Sequence, residues 1–181
     1  VSRNTALIVI DVQQSFEHRP YWSDADLPAF RRHLTALIDG AVAAGIPVVR
    51  VLHVDADSHF SKASGFVRPM DWVPEAHDVV FEKTVHNAFT DTGLDRWLRA
   101  RGVTRVIISG IRTEQCCETT TRVASDLGYD VDFVTDATLT FAMTHERSGR
   151  VYDSADIKAR TELVLAGRFA RIATVEEALA A

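Results

Sequence analysis

Three residues whose types could make a reactive centre fall at or just beyond the ends of apolar runs. Asp11 follows Ala6-Leu7-Ile8-Val9-Ile10, Lys83 follows Val79-Val80-Phe81-Glu82, and Cys116 comes shortly after Val106-Ile107-Ile108-Ser109-Gly110. A cysteine attacks carbonyl carbon as its thiolate. An aspartate beside it can take its proton and return it to a leaving group. A lysine between the two would hold both in their charged forms by Coulomb attraction, lowering the thiol's pKa. The backbone N–H groups of Arg112 and Cys116 could then face the oxygen of a tetrahedral intermediate. Each residue also has an ordinary reading. An aspartate at a strand end is often a helix cap, a lysine is usually solvated, and Cys116 and Cys117 could be two small hydrophobes packing a helix on a sheet.

These residues need elements to position them. The run 106–108 suits a parallel strand covered on both faces. Gly110 permits a backbone conformation or a close approach that a side chain would prevent. Thr113 can cap a helix running on to residue 127, with Cys116 in its first turn, where the helix dipole favours a thiolate. Strands are expected at 6–10, 47–54, 79–82, 103–109, 130–135 and 169–172, with Asp136-Ala137 at the carboxyl end of the fifth. Helices are expected at 27–44, 92–101, 114–127, 144–149 and 154–165, with a last turn at 175–179. Residues 13–26 and 55–74 lack a period and read as long loops over the sheet edge. Such alternation predicts an α/β fold of three layers, α/β/α, with a parallel sheet and right-handed crossovers. Ligands of such sheets sit at the carboxyl ends of the strands. With 181 residues, 46% of them hydrophobic, a single domain over 1–181 with a sizeable core is expected.

Composition removes several functions. Twenty basic against 25 acidic residues give a net charge of −5, with no Lys or Arg run, which speaks against nucleic acid and anionic membrane as partners. The only two cysteines are neighbours, so no disulfide framework can form, and a reducing cytoplasm is the expected location. No signal-peptide pattern and no apolar stretch of transmembrane length is present. Asp11-Val12-Gln13-Gln14 stands where a dinucleotide-binding chain would carry G-x-G-x-x-G, which excludes that class.

The chain resembles the isochorismatase-like hydrolases, a family that includes nicotinamidases, N-carbamoylsarcosine amidohydrolases and ureidoacrylate hydrolases. The resemblance rests on Ala6-Leu7-Ile8-Val9-Ile10-Asp11-Val12-Gln13 with Phe16, and on Lys83 with Asn87-Ala88-Phe89. It continues through Gly110-Ile111-Arg112-Thr113-Glu114-Gln115-Cys116, Gly128-Tyr129 and Asp136-Ala137. It implies a six-stranded parallel sheet of order 3-2-1-4-5-6 and a catalytic triad of Asp11, Lys83 and Cys116. It also implies a cis peptide at Ile111-Arg112 that turns a backbone N–H into the oxyanion hole. The expected reaction is cleavage of a C–N (amide-type) bond of a small molecule through a thioester acyl-enzyme, without cofactor. Family members that process isochorismate lack this cysteine. Phe16, Ile111 and Arg112 are the expected substrate-binding residues, and a homo-oligomer, dimer or tetramer, is the expected assembly. The alternative is a catalytically silent binding or regulatory protein on the same fold.

Some positions depart from the family pattern. Cys117 replaces an aliphatic residue and is read as packing. Arg112 is larger than usual at the turn; it could bind a substrate carboxylate through its planar fork, point at solvent, or pair with Glu114. Nicotinamidases of the family hold a divalent metal through an Asp-x-His pair after strand two and a later His. Counted from the strand, Asp55 falls on that aspartate and Asp57 on the first histidine. Shifted by two residues, Asp57-Ser58-His59 fits the local pattern, with His77 as a third ligand. Short matches of this kind arise by chance in polar loops, and no metal is expected. His53, inside strand two, is expected in the core or the pocket wall. The aromatic residues Phe16, Tyr21, Trp22, Phe66, Trp72 and Phe141 are candidates for an apolar wall, Phe16 foremost because it belongs to the matched motif.

Overall fold

The computed structural model describes residues 4–180. Unbroken apolar runs form its centre, because a strand covered on both faces has no polar side to offer water. In chain order the strands are β1 (Thr5–Ile10), β2 (Val48–His53), β3 (Val79–Lys83), β4 (Arg105–Ile111) and β5 (Asp130–Leu139). A short hairpin of β6 (Met143–Thr144) and β7 (Val151–Tyr152) follows, and then β8 (Arg171–Ile172). The main sheet has six strands in the order β3-β2-β1-β4-β5-β8, every pair parallel. With β8 as the sheet's sixth member, this is the expected 3-2-1-4-5-6.

Five helices make the outer layers: α1 (Leu27–Ala43), α2 (Leu94–Ala100), α3 (Glu118–Asp126), α4 (Ser154–Leu165) and α5 (Val175–Ala180). The two faces of β1 separate the cores. Leu7 and Val9 pack with Phe30, Leu34 and Leu37 of α1 and Val175 and Ala178 of α5. Ala6, Ile8 and Ile10 pack with Leu94 and Leu98 of α2, Ala124 of α3 and Leu165 of α4. The period of two along a strand thus feeds two separate cores.

Register brings the chemistry to one edge. Ile10 pairs with Gly110, so Asp11 and the turn after β4 leave the sheet side by side. His53 pairs with Lys83 at the carboxyl ends of β2 and β3.

Four elements differ from expectation. Residues 144–149 are the end of β6 and most of the β6–β7 hairpin turn, not a helix. Their sequence supplies no apolar stripe to bury, and Gly149, at φ +68°, closes the turn with an N–H bond to His145 O of 2.8 Å. β5 does not stop at Thr135. Its register against β4 jumps, with Ile108 opposite Phe133 and Gly110 opposite Thr138, and Asp136 stays exposed while Ala137–Leu139 are buried. Asp136-Ala137 is therefore inside the strand. Lys83 is the last residue of β3 rather than the first beyond it. The cysteine helix opens with one turn of π-helix, Thr113–Cys117, before α3 begins. Thr113 makes no cap there; its hydroxyl is 2.7 Å from that of Thr138.

Candidate active site

Lys83 Nζ is the hub of the site. It lies 2.7 Å from Asp11 Oδ2, 3.4 Å from Cys116 Sγ, 3.1 Å from His53 Nδ1 and 3.1 Å from Val85 O. Asp11, Lys83 and Cys116 are all buried. A buried ammonium needs close acceptors to offset the loss of water, and here it has a carboxylate, an imidazole nitrogen and a carbonyl. Asp11 holds a left-handed backbone, φ +53°, as the chain turns off β1. Such conformations in non-glycine residues concentrate at functional sites.

The electrostatics differ from expectation at the cysteine. Burial, and then the charge of Asp11, push the Cys116 thiol up, and the opposing pull of Lys83 does not compensate. The π-turn runs straight on into α3, so Cys116 keeps its place near the amino end of the helix. Burial nonetheless weighs the balance toward the thiol. Burial likewise raises Asp11 against the pull of Lys83, which makes its carboxylate a stronger base than a solvated one. Burial draws the Lys83 ammonium down, but Asp11 and Cys116 outweigh it and the net shift is up, so Lys83 stays charged.

Asp11 and Cys116 open into a cavity of about 230 Å³ whose wall also carries Phe16, Arg19, Tyr21, His53, Asp55 and Gln115. Phe16 packs edge-on against Phe60, ring centres 5.0 Å apart. A cavity of about 860 Å³ lies at the opposite, amino-terminal edge of β5 and β8; of its three arginines, Arg105 and Arg171 are paired with Asp132 and Arg168 also lines it. The reactive groups are all at the smaller one. The isochorismatase domain model matches residues 5–151.

The chain belongs to the isochorismatase family.

A family protein of Bacillus subtilis (strain 168), YrdC, is 30% identical over 180 residues, covering 95% of this chain and 92% of that protein. Nicotinamidase 3 of Arabidopsis thaliana is 33% identical over 156 residues, covering 77% of this chain and 75% of that one. The crystal structure of a cysteine hydrolase from Pseudomonas syringae pv. phaseolicola superimposes with a TM-score of 0.87 at 25% identity, covering 98% and 92% of the two chains. This chain is an isochorismatase-family hydrolase.

Other expected site residues of this family member are dispersed. The Ile111-Arg112 peptide is cis. The Ile111 side chain is in the core and does not line the cavity. The Arg112 side chain does not line it either: it is buried, its Nη2 is 3.0 Å from Glu114 Oε1, and its guanidinium lies 4.6 Å from the Tyr21 ring centre. Of its three readings, pairing with Glu114 is the one present. Trp72 packs on Phe30 and Phe66 on His18, away from the cavity wall. Cys117 is wholly buried in the α2–α3 core, as packing requires.

The candidate donors for the family's metal site do not come together. Asp57 and His59 are exposed, with the His59 ring stacked on His18 at 5.0 Å. His77 is exposed and its Nδ1 meets Glu75 O at 2.6 Å. Asp55 is at the cavity. Among the described residues no group of three or more His, Cys, Asp or Glu is placed to hold a metal ion, so Asp55, Asp57, His59 and His77 do not form the family's metal centre.

Arg19, His86 and Gln115 line the cavity without having been expected there. Arg19 and His86 belong to stretches with no hydrophobic period, where a sequence gives no direction to a side chain. Gln115 precedes the cysteine directly and was the most accessible of the three to reasoning.

Proposed function

We propose that Asp11, Lys83 and Cys116 hydrolyse a C–N bond of a small amide through a thioester on Cys116. The observation that carries this reading is the single buried ammonium touching both a carboxylate and a thiol at the wall of a small cavity. The names of similar proteins, a nicotinamidase and a cysteine hydrolase, support the same class.

As Cys116 Sγ attacks the carbonyl carbon, Asp11 takes the thiol proton, so no free thiolate accumulates beforehand. The N–H groups of Arg112 and Cys116 face the oxygen that gains charge. Asp11 passes the proton to the departing nitrogen as the C–N bond breaks, releasing ammonia or an amine and leaving the thioester. Water then gives a proton to Asp11 and attacks the thioester carbon. The carboxylic acid leaves, and the proton returns to Cys116. Lys83 keeps Asp11 anionic when it must act as base, and stays protonated throughout.

The test is a panel of small primary amides, ureido acids and carbamoyl compounds scored by ammonia release, with rapid acid quench and mass spectrometry of the protein. The expected result is an acyl mass increment on the peptide carrying Cys116 with any turned-over substrate. Turnover with no increment on a Cys116→Ser-sensitive peptide, or an adduct elsewhere, rejects the mechanism.

The thiol's resting state has its own measurement. Alkylation of Cys116 by iodoacetamide is expected to keep accelerating above pH about 8.5, the ordinary thiol value. Lys83→Ala removes the group that pulls the thiol down and should move the profile to higher pH. Asp11→Asn removes a group that pushes it up and should move the profile lower. A plateau already reached near neutral pH would mean a preformed thiolate and sink this assignment.

A further inference from the structure

The geometry points to His53 as a fixed hydrogen-bond donor to the substrate, its Nε2–H meeting a second acceptor on the acyl part of the amide. This rests on the cavity beside Cys116 being the substrate site. It adds a specificity contact and a substrate class: small amides that carry, besides the scissile carbonyl, a ring nitrogen or a further carbonyl or carboxylate oxygen.

The tautomer follows from Lys83. An ammonium has only hydrogens to offer, so His53 Nδ1, 3.1 Å from Lys83 Nζ, must present its lone pair. A neutral imidazole then carries its proton on Nε2. Burial, Lys83 and His86 all disfavour a second proton, and outweigh Asp11 and Asp55, which favour it. With Nδ1 facing the ammonium, the ring donates through Nε2 alone.

The direction of Nε2 follows from the cavity. His53 lines it. Among the described residues Nε2 has no hydrogen-bond partner, yet it is absent from the side-chain atoms that are buried and unsatisfied. A half-buried ring with one nitrogen held by Lys83 and the other open therefore presents that open nitrogen to the cavity.

The position is held unusually firmly for a strand end. The Gln13 side-chain amide grips the His53 backbone from both sides: Oε1 accepts from the His53 N–H at 2.7 Å and Nε2 donates to the His53 carbonyl at 3.0 Å. Gln13 is itself fully buried, and its Nε2 also donates to Ser15 Oγ at 2.9 Å. The edge of the Phe60 ring system meets the imidazole at 80°, centres 5.7 Å apart. A donor fixed this way discriminates, because a substrate lacking the acceptor leaves it unpaired in a small cavity. The same geometry excludes His53 as a base, since its only lone pair already faces Lys83.

The experiment is ¹⁵N NMR of the histidine-labelled wild-type protein, titrated with matched amides. The probes are a pyridinecarboxamide against benzamide, and succinamate against butyramide. The expected spectrum has Nε2 protonated and Nδ1 unprotonated above the ordinary histidine range, at about pH 7.5 to 8. The acceptor-bearing member of each pair should move the His53 Nε2 resonance, and the plain member should not. In turnover, His53→Phe should cut the preference for the acceptor-bearing amide about tenfold in kcat/KM, and His53→Gln, which keeps a donor, should restore part of it. A proton on Nδ1, or an equal response of Nε2 to both members of each pair, overturns the proposal. Ammonia release is followed separately. A responsive His53 without turnover removes the hydrolase mechanism and leaves the donor; turnover with an unresponsive His53 does the reverse.

Discussion

Replacing Cys116 with alanine is expected to lower amide hydrolysis by at least about 10⁴-fold in kcat while leaving the fold intact. The magnitude follows from losing the atom that forms the covalent bond: what survives is the binding cavity and the oxyanion donors, which act on water far less effectively than on a positioned sulfur. The loss corresponds to about 5 kcal/mol of transition-state stabilisation. Cys116 is small and sits at the cavity wall, so its removal leaves little unfilled core. Cys117→Ala is the internal control. That side chain is wholly buried against α2 and α3, away from the cavity, and its loss should cost about 1 kcal/mol of stability and little activity. Circular dichroism and ammonia release on the two variants separate the cases. Comparable activity losses in both would mean that the π-turn, rather than one sulfur, is what the reaction needs.

Because burial weighs the sulfur toward the thiol, Asp11→Asn and Cys116→Ala should be nearly equivalent in their effect on turnover. Groups that act on one proton transfer as a unit are grossly non-additive, and the double variant should be little worse than either alone.

The centre of this fold was legible because its information is local. Asp11, Lys83 and Cys116 each end or follow an apolar run, and a parallel sheet puts all such ends on one edge. The sheet order came through the resemblance, and β1 and β4 are as buried as their composition demands. What failed was information held in tertiary contacts. The raised thiol of Cys116 depends on how completely the loops after β1 and β2 cover the site, which no residue near it announces. Residues 144–149 contain good helix formers such as Glu146 and Arg147, but a helix there would have had no apolar face to bury, and the hairpin won. Asp136-Ala137 reads as the end of the fifth strand because an aspartate looks like a terminator; the register jump lets the aspartate leave the sheet while the strand goes on to Leu139. Arg112 could not be assigned from sequence since three partners were open to it, and its pairing with Glu114 depends on the turn between them.

The second large effect concerns the glycine that the fold cannot replace. Gly110→Ala is expected to remove the folded protein, or to leave one with a midpoint of unfolding lower by roughly 10–20 °C. A Cβ built at Gly110 would lie 2.0 Å from Ile10 O and 2.7 Å from Ile10 N, and both are backbone atoms of the central strand that cannot swing aside as a side chain would. The residue's φ of +127° is itself a conformation that side chains resist. Relief requires β1 and β4 to separate at their carboxyl ends, where Ile10 and Gly110 are paired and where Asp11 leaves the sheet. The expected cost is about 5 kcal/mol or more, which is comparable with the whole stability of many domains. Gly102→Ala provides the comparison: it shares a positive φ, +66°, but nothing lies within 4 Å of its added Cβ. Only the backbone preference is then lost, about 1–2 kcal/mol. Thermal unfolding of the two variants beside the native chain reads the difference directly. Equal midpoints for Gly110→Ala and Gly102→Ala would show that β1 and β4 can part without penalty. The edge that brings Asp11 to Cys116 would then be far softer than their spacing requires.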